Sequence, residues 1–546
     1  MIRRTIACVC LLWSSAYGEV VFVDIAREAG IDFVHQNGAE GMRYLPETYG
    51  SGVAFIDFDV DGQLDAYWVN SGRIPGLTQA PLAPNALYRN EGSNRFVEVA
   101  ARAGVADVGY GMGAVVGDYN ADGYPDLYVS NFGANVLYKN AGNGLFDDAS
   151  QGVDDPGWGT SAAFADVDLD GDLDLFVGNY VEYPLGQDLV SCWVGNSDER
   201  LYCDPRKFVG QVDRLYINGG AEADWGWRDG TGDWGLLSTE GKELGVILGD
   251  YDGDGDPDLY LANDMTPNML YRNDGSHFVE RGLASGTSLN DEGGVEAGMG
   301  VDLGDVNADG LQDFFVTNFQ WESNTLYRNA GSGFFIDATV ASGVQKASMA
   351  YLGFGTGFLD YDNDGDLDLF VANGHVYDNV EQVDHASTYP QRNQLLDNDG
   401  LGRFVENMKA GPGFDLSQVS RGAAFGDIDN DGDVDIAVSN SAGPAVLLRN
   451  DGGNARNWLG IELVGSGDNR DGVGAVVEVW VGDKRQLRER RAGGSYLSSH
   501  DGRLLFGLGE ARAAERVAVR WPSGKRHALD DILANQYVKI EEKDLP

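Results

Sequence analysis

The sequence predicts an all-β protein: a seven-bladed β-propeller whose last blade is completed by the N-terminal strand, plus a small C-terminal β-rich domain. Three observations carry this. A nine-residue acidic loop recurs seven times, the same short apolar strands surround every copy, and after Asn450 the repeat stops and strands of another kind begin.

The loop reads Asp-x-Asp-x-Asp-Gly-x-x-Asp. Its acidic or amide positions are Asp57, Asp59, Asp61 and Asp65; Asp118, Asn120, Asp122 and Asp126; Asp166, Asp168, Asp170 and Asp174; Asp250, Asp252, Asp254 and Asp258; Asp305, Asn307, Asp309 and Asp313; Asp360, Asp362, Asp364 and Asp368; and Asp427, Asp429, Asp431 and Asp435. Oxygen side chains at the first, third and fifth positions converge when the chain curls, and the glycine at the sixth permits the tight turn. A hard cation taking about 6–8 oxygens suits this set, so Ca2+ is the expected ion. Mg2+ fits less well, because it demands octahedral geometry and keeps its waters. The first half matches an EF-hand loop, but the closing acid comes at position nine rather than twelve and a strand follows. One copy alone also reads as an Asx turn, though less well; seven in one register do not. The seventh position varies from Gln63 to Leu311, as expected where the main-chain carbonyl supplies the ligand. Asn120 and Asn307 leave loops two and five one charge poorer.

After each loop comes an apolar run ending in asparagine, such as Asp126-Leu-Tyr-Val-Ser-Asn131 and Asp258-Leu-Tyr-Leu-Ala-Asn263. A third element of the type Leu-Tyr-x-Asn closes at Asn90, Asn140, Asn218, Asn273, Asn329, Asn398 and Asn450. A fourth contains an aromatic and an acid, as in Phe96-Val-Glu98. Before each loop runs a small-residue strand such as Gly111–Gly117, whose glycines allow close approach near a crowded axis. Short β-rich runs bounded by turn residues read as strands, and four-stranded sheets repeated radially make a propeller. The seventh unit lacks its fourth strand, while Phe22-Val-Asp-Ile-Ala-Arg-Glu-Ala-Gly30 matches Phe96–Gly104 almost position for position, which predicts closure of the last blade by the N-terminus.

Taken in order, residues 1–18 read as a secretory signal: Arg3 and Arg4, an apolar run, then small residues at Ala16 and Gly18. That run is too short to span a bilayer as a helix, and no other segment is long and apolar enough to cross a membrane. The propeller is expected over 19–452 and the second domain over 455–546. The net charge of −47 argues against nucleic acid and anionic membranes as partners. It fits a secreted, extracellular or periplasmic protein.

The span from loop start to the closing asparagine is 22–24 residues in four units, but 33, 52 and 38 in units one, three and six. All three insertions fall between the second and third strands, on the face expected opposite the acidic loops. Long loops on one face of a rigid scaffold are where binding tends to live. Cys192 and Cys203 sit together in the unit-three insertion and read as a disulfide. His35, Glu47, His375, Tyr377 and His385 are placed on the same face. His35, Glu47, His375 and His385 offer a metal or catalytic cluster, and His35, Glu47, His375 and Tyr377 a ligand face; the plainer reading is loop histidines bonding to main chain. There is no nucleophile elbow, phosphate loop or His-Glu-x-x-His.

Beyond residue 455, Trp458–Val464, Gly474–Val481 and Val517–Trp521 alternate as strands do. The basic run Arg485–Arg491 reads as a solvated edge strand or as an intramolecular contact for the acidic repeats.

The seven loops and their Asn-ended strands resemble integrin-type FG-GAP repeats, also called VCBS repeats. Asn469–Ala475, Arg491–Ser498, Phe506–Gly509 and Trp521–Gly524 resemble the ASPIC/UnbV domain, and Tyr202–Arg206 and Gly374–Tyr377 are similar to segments of the same cartilage-acidic-protein-like family. The resemblance implies an extracellular calcium-binding propeller used in recognition or adhesion of a glycan or protein ligand, with no established reaction. The alternative is a carbohydrate lyase or hydrolase using His35, Glu47, His375 and Tyr377 on the insertion face. A third possibility is a matrix component docked through its C-terminal domain.

Overall fold

The computed structural model describes residues 20–185, 189–193 and 199–544. The expected signal segment 1–18 lies outside them. The protein is all-β, with helices of only one or two turns, and no helix among the described residues is long and apolar enough to cross a membrane.

Seven four-stranded antiparallel sheets follow one plan. In the first, Val53–Ile56 pairs with Asp65–Trp68, which pairs with Ala86–Asn90 and then Phe96–Glu98. The acidic loop joins the first strand to the second in every sheet. The other first strands are Gly111–Gly117, Gly159–Ala165, Glu243–Gly249, Val301–Gly304, Gly353–Leu359 and Ser420–Gly426. Each packs beside the next, and the last packs beside the first. The seventh sheet takes its fourth strand from Val21–Asp24, which pairs antiparallel with Val446–Asp451, Phe22 opposite Asn450. The turn after Val21–Asp24 ends at Gly30, in the left-handed region at φ 93°, where a Cβ would lie 2.8 Å from the Phe96 carbonyl of sheet one. Glycine alone fits there.

Neighbouring sheets are also stitched by the asparagine that closes each third strand. Asn140 Nδ2 donates to the Phe58 carbonyl at 2.8 Å, Asn218 to Tyr119 at 2.9 Å, and Asn273 to Val167 at 2.8 Å. Asn329, Asn398 and Asn450 do the same to Tyr251, Val306 and Tyr361. The acceptor is always the second residue of the preceding unit's acidic loop.

The C-terminal domain packs a three-stranded sheet (Leu504–Gly509, Asn457–Val464, Gln536–Glu541) against a four-stranded one (Lys484–Glu489, Val476–Val481, Ala513–Arg520, Arg526–Leu533). Its core includes Leu459, Val477, Phe506, Val519 and Trp521. Lys484–Glu489 is an edge strand, as one of the two readings of the basic run had it, yet it is not simply solvated. Arg491, just beyond its end, donates to Asp302 at 2.8 Å, and Lys484 reaches Asp366 at 3.2 Å.

The segment that follows enters the axis of the repeat body. Ser499 exchanges main-chain bonds with Val53 and Phe55, Leu497 accepts from Ala114, and Ala492 accepts from Phe164. Ser495 exchanges bonds with Val301, its hydroxyl accepts from Thr356, and Asp501 donates to Phe425. Residues 492–501 thereby touch the first strand of six sheets; Glu489 reaches the remaining one, accepting from the Asp250 amide at 3.1 Å. Glycines facing the axis find their reason here: a Cβ on Gly52, just before the first strand, would lie 2.1 Å from the Leu497 carbonyl, and one on Gly113 3.0 Å from the Leu497 Cα.

Candidate metal centres

Each loop curls around its first aspartate. Asp57 accepts from the amides of Asp61 and Gly62 at 3.0 and 2.9 Å, and Asp118, Asp305, Asp360 and Asp427 repeat the pattern. The turned backbone gathers the remaining carboxylates. Oxygens of Asp57, Asp59 and Asp61 lie within 4.8 Å of one another, as do those of Asp166, Asp168 and Asp174; Asp250, Asp252 and Asp254; Asp360, Asp362 and Asp368; and Asp427, Asp429 and Asp435. Loops two and five bring fewer carboxylates together: Asn120 and Asn307 turn their amides onto Asp126 and Asp309.

The donor set fits a divalent cation. Buried carboxylate oxygens of Asp59, Asp166, Asp258, Asp362, Asp368 and Asp429 have no hydrogen-bond partner among the described residues. Orphaned buried oxygens are costly and rare in folded proteins, and an ion at their centre satisfies them together. Burial first, and the neighbouring aspartates second, hold the Asp360 carboxyl up at about 8 and the Asp166 carboxyl at about 7. The loops therefore carry more negative charge than the protein around them stabilises, which a bound cation reverses.

The ninth position has a second task. Asp65 Oδ1 accepts from the Asn90 amide at 2.7 Å and Oδ2 from the Phe58 amide at 3.1 Å. The first bond recurs at Asp126, Asp174, Asp258, Asp313, Asp368 and Asp435. This acid clamps the loop to the third strand whatever it gives to a cation.

The opposite face gathers the connections between sheets and the long insertions. Cys192 and Cys203 are joined in a disulfide. Tyr202, next to Cys203, stacks on Tyr377 of the unit-six insertion with ring centroids 6.4 Å apart, and its hydroxyl donates to Glu47 at 3.0 Å. Arg43 bonds Asp378 at 2.7 Å, tying the N-terminal connection to the same insertion. Burial pushes the Glu47 carboxyl up to about 7.

His35 and His375 lie in this region, but buried. His35 Nδ1 accepts from the Ala442 amide at 3.1 Å and Nε2 meets Ser71 at 3.0 Å; His375 Nδ1 accepts from the Tyr377 amide at 3.0 Å. Burial, then the nearby Arg421 guanidinium, lowers them to about 3 and about 4. Both are neutral anchors of main chain. His385, exposed, turns to the Glu381 carbonyl at 2.7 Å. Their neighbour Arg421 was not singled out by the sequence. It is fully buried, lies 3.9 Å over the Phe354 ring, and donates to the carbonyls of Thr48, Gly374, Ser420 and His375. Asp264 likewise escaped notice; its Oδ2 accepts from the hydroxyls of Tyr49 and Tyr180.

The FG-GAP-like repeat family matches residues 57–129, 118–177, 250–316 and 305–371, and the ASPIC and UnbV family matches 465–545. Cartilage acidic protein 1 of Xenopus tropicalis is 27% identical over 292 residues, 52% of this chain and 42% of that one. Its Mus musculus counterpart is 24% identical over 365 residues, 55% of each. The matches thus span about half the length of these curated relatives. Among solved structures, an Agrocybe aegerita lectin recognising non-reducing terminal N-acetylglucosamine is similar at 16% identity, over 71% of this chain and 88% of that one, with a TM-score of 0.40. The chain thus carries FG-GAP-like repeats followed, in that order, by a C-terminal ASPIC and UnbV domain.

Proposed function

We propose that this protein is an extracellular calcium-binding recognition protein. Residues 19–452 act as a closed seven-bladed propeller, residues 455–546 as an appended domain, and the seven loops hold up to seven Ca2+ ions through Asp57, Asp118, Asp166, Asp250, Asp305, Asp360, Asp427 and their loop partners. One observation carries the reading: buried, unpartnered carboxylate oxygens converge in the repeated loops. Closure is supported by the pairing of Val21–Asp24 with Val446–Asp451 and by the packing of the first inner strand on the last.

The ligand face is the one opposite the loops. The disulfide, the Tyr202–Tyr377 stack and Arg43 make the insertions a rigid cap, and Trp193 and Trp321 stand 46% and 52% exposed on it. The Trp321 indole is held by Asp384 at 2.9 Å. Fixed, exposed aromatics offer contact area at low entropic cost, and suit a glycan or protein ligand. With His35 and His375 engaged by main chain, this face works by binding.

The test is binding to immobilised polysaccharides and matrix extracts, calcium-loaded and chelated, with released product scored alongside. Calcium-dependent capture without product, lost in W193A/W321A, is the expected result. Product formation, or capture that ignores both chelation and these substitutions, contradicts the reading.

A further inference from the structure

The C-terminal domain sits on the loop face, and it touches the loops themselves. Tyr537 donates its hydroxyl to Asp427 Oδ2 at 2.7 Å, and the Gly507 amide donates to Asp360 Oδ2 at 3.1 Å. These are the first-position oxygens that also receive Gly432 and Gly365 of their loops. Tyr537 is held in turn, with the Arg503 guanidinium 4.6 Å over its ring and Trp458 5.2 Å away. The sixth-position glycines mark the footprint: a Cβ on Gly432 would strike the Trp458 ring, one on Gly310 the Arg485 guanidinium, and one on Gly365 would press on Gln486. Loops one and three differ. A Cβ on Gly62 or Gly171 meets nothing within 4 Å, and the first aspartates of these loops accept from the Gly62 and Gly171 amides of their own loops.

We propose that metal centres six and seven are composite. The repeat body supplies the ligands, and the C-terminal domain, through the Gly507 amide and the Tyr537 hydroxyl, positions the first carboxylate of each. The inference rests on the calcium reading above. A partner that orients a ligating carboxylate tunes metal affinity, and coupling between two binding events is reciprocal. The cation holds the loops curled against their own repulsion, and the curled loops are the surface on which the domain docks. Metal in loops six and seven therefore favours docking, with residues 492–501 seated in the axis, and docking favours metal in those loops. Loops one and three bind independently of it. Tyr537 is a positioning residue.

The test uses the full chain. Calcium affinities are measured by titration calorimetry, and amide exchange of residues 492–501 is followed by mass spectrometry, in wild type, Y537F and D168N/D170N. In wild type the axial segment is protected with Ca2+ and loses protection in chelator before the repeat strands do. Y537F keeps the ring and loses only the hydroxyl; one Ca2+ site weakens roughly tenfold, and the segment exchanges faster at subsaturating metal. D168N/D170N binds one ion fewer and keeps the segment protected. Equal protection with and without Ca2+, or unchanged affinities in Y537F, overturns the proposal. Failure of the wild type to bind Ca2+ at all removes the calcium reading and this inference with it.

Discussion

The side-chain amide of Asn90 donates to the main-chain carbonyl of Ile428 at 2.8 Å, across 338 residues of sequence. The bond joins the first repeat to the seventh and is the same bond that links every other repeat to the one before it. The Asn90 main-chain amide meanwhile donates to Asp65 at 2.7 Å. One buried residue therefore fastens its own loop to its third strand and both to the neighbouring loop.

Replacing Asn90 by alanine leaves the carbonyls of Ile428 and Leu64 without this donor. A buried acceptor left unpaired costs roughly 1–3 kcal/mol. N90A in saturating Ca2+ should lose stability in that range by urea unfolding, as should N140A at the corresponding internal position. A loss confined to N140A would mean that the first and last repeats do not rely on each other.

Loops two and five should be the weakest metal sites, because Asn120 and Asn307 replace carboxylates and turn their amides to neighbouring aspartates. One added charge about 4 Å from a cation contributes roughly 1–4 kcal/mol per unit of cation charge at surface-like dielectric. N120D and N307D should each tighten one Ca2+ site in calorimetric titration. Unchanged binding would show that these loops take no ion.

Glu47 predicts a pH dependence of the insertion face. Burial holds its carboxyl near 7 against an ordinary 4.5, with Asp378 pushing the same way and the Tyr44 amide, Tyr202 and Arg43 opposing. The folded protein keeps the proton that the unfolded chain gives up. This contribution to stability is complete below about pH 4.5 and is lost as pH rises through 7. With Ca2+ saturating, so that the loops stay charged, E47Q should flatten the slope of stability between pH 5 and 7, as read by exchange at residues 44–49. The same slope in both proteins would assign it to another group.

Arg421 is a buried cation satisfied by carbonyls rather than by an acid. R421M removes the charge and leaves the carbonyls of Thr48, Gly374 and His375 short of a donor. The expected cost is about 3 kcal/mol or more, together with a rise in the pKa of His35 and His375, whose neighbouring positive charge is gone. NMR titration of the two imidazoles checks the second part; unmoved values would leave burial as their sole cause.

The acidic loops, the strands around them and the N-terminal completion of the last sheet were legible because each is a local pattern repeated in one register. Phe22–Gly30 copies Phe96–Gly104, and Asp-x-Asp-x-Asp-Gly has few other uses. Docking of the C-terminal domain was legible only in part, because it depends on partners hundreds of residues apart. The basic run Arg485–Arg491 offered a contact for the acidic repeats, and Arg491 meets Asp302; that Tyr496 packs 5.0 Å from Phe354 follows from no pattern in either segment. A weak signal existed: Gly493-Gly494 before Ser-Tyr-Leu-Ser offers a flexible, small-residue run suited to a narrow channel already lined with glycine. The histidines follow the plainer of their two readings, since His35 and His375 accept from main-chain amides. What the sequence did not show is their burial beside Arg421, where desolvation keeps them neutral.

Calcium content and stability of the purified full chain test the central claim most directly. Metal analysis after dialysis against Ca2+, with thermal unfolding in Ca2+ and in chelator, gives both quantities on one sample. Up to seven ions per chain, and at least the five held by carboxylate clusters, are predicted, with a stabilisation of several kcal/mol at saturating metal. A chain that retains no Ca2+, or that unfolds at the same temperature in chelator, contradicts it.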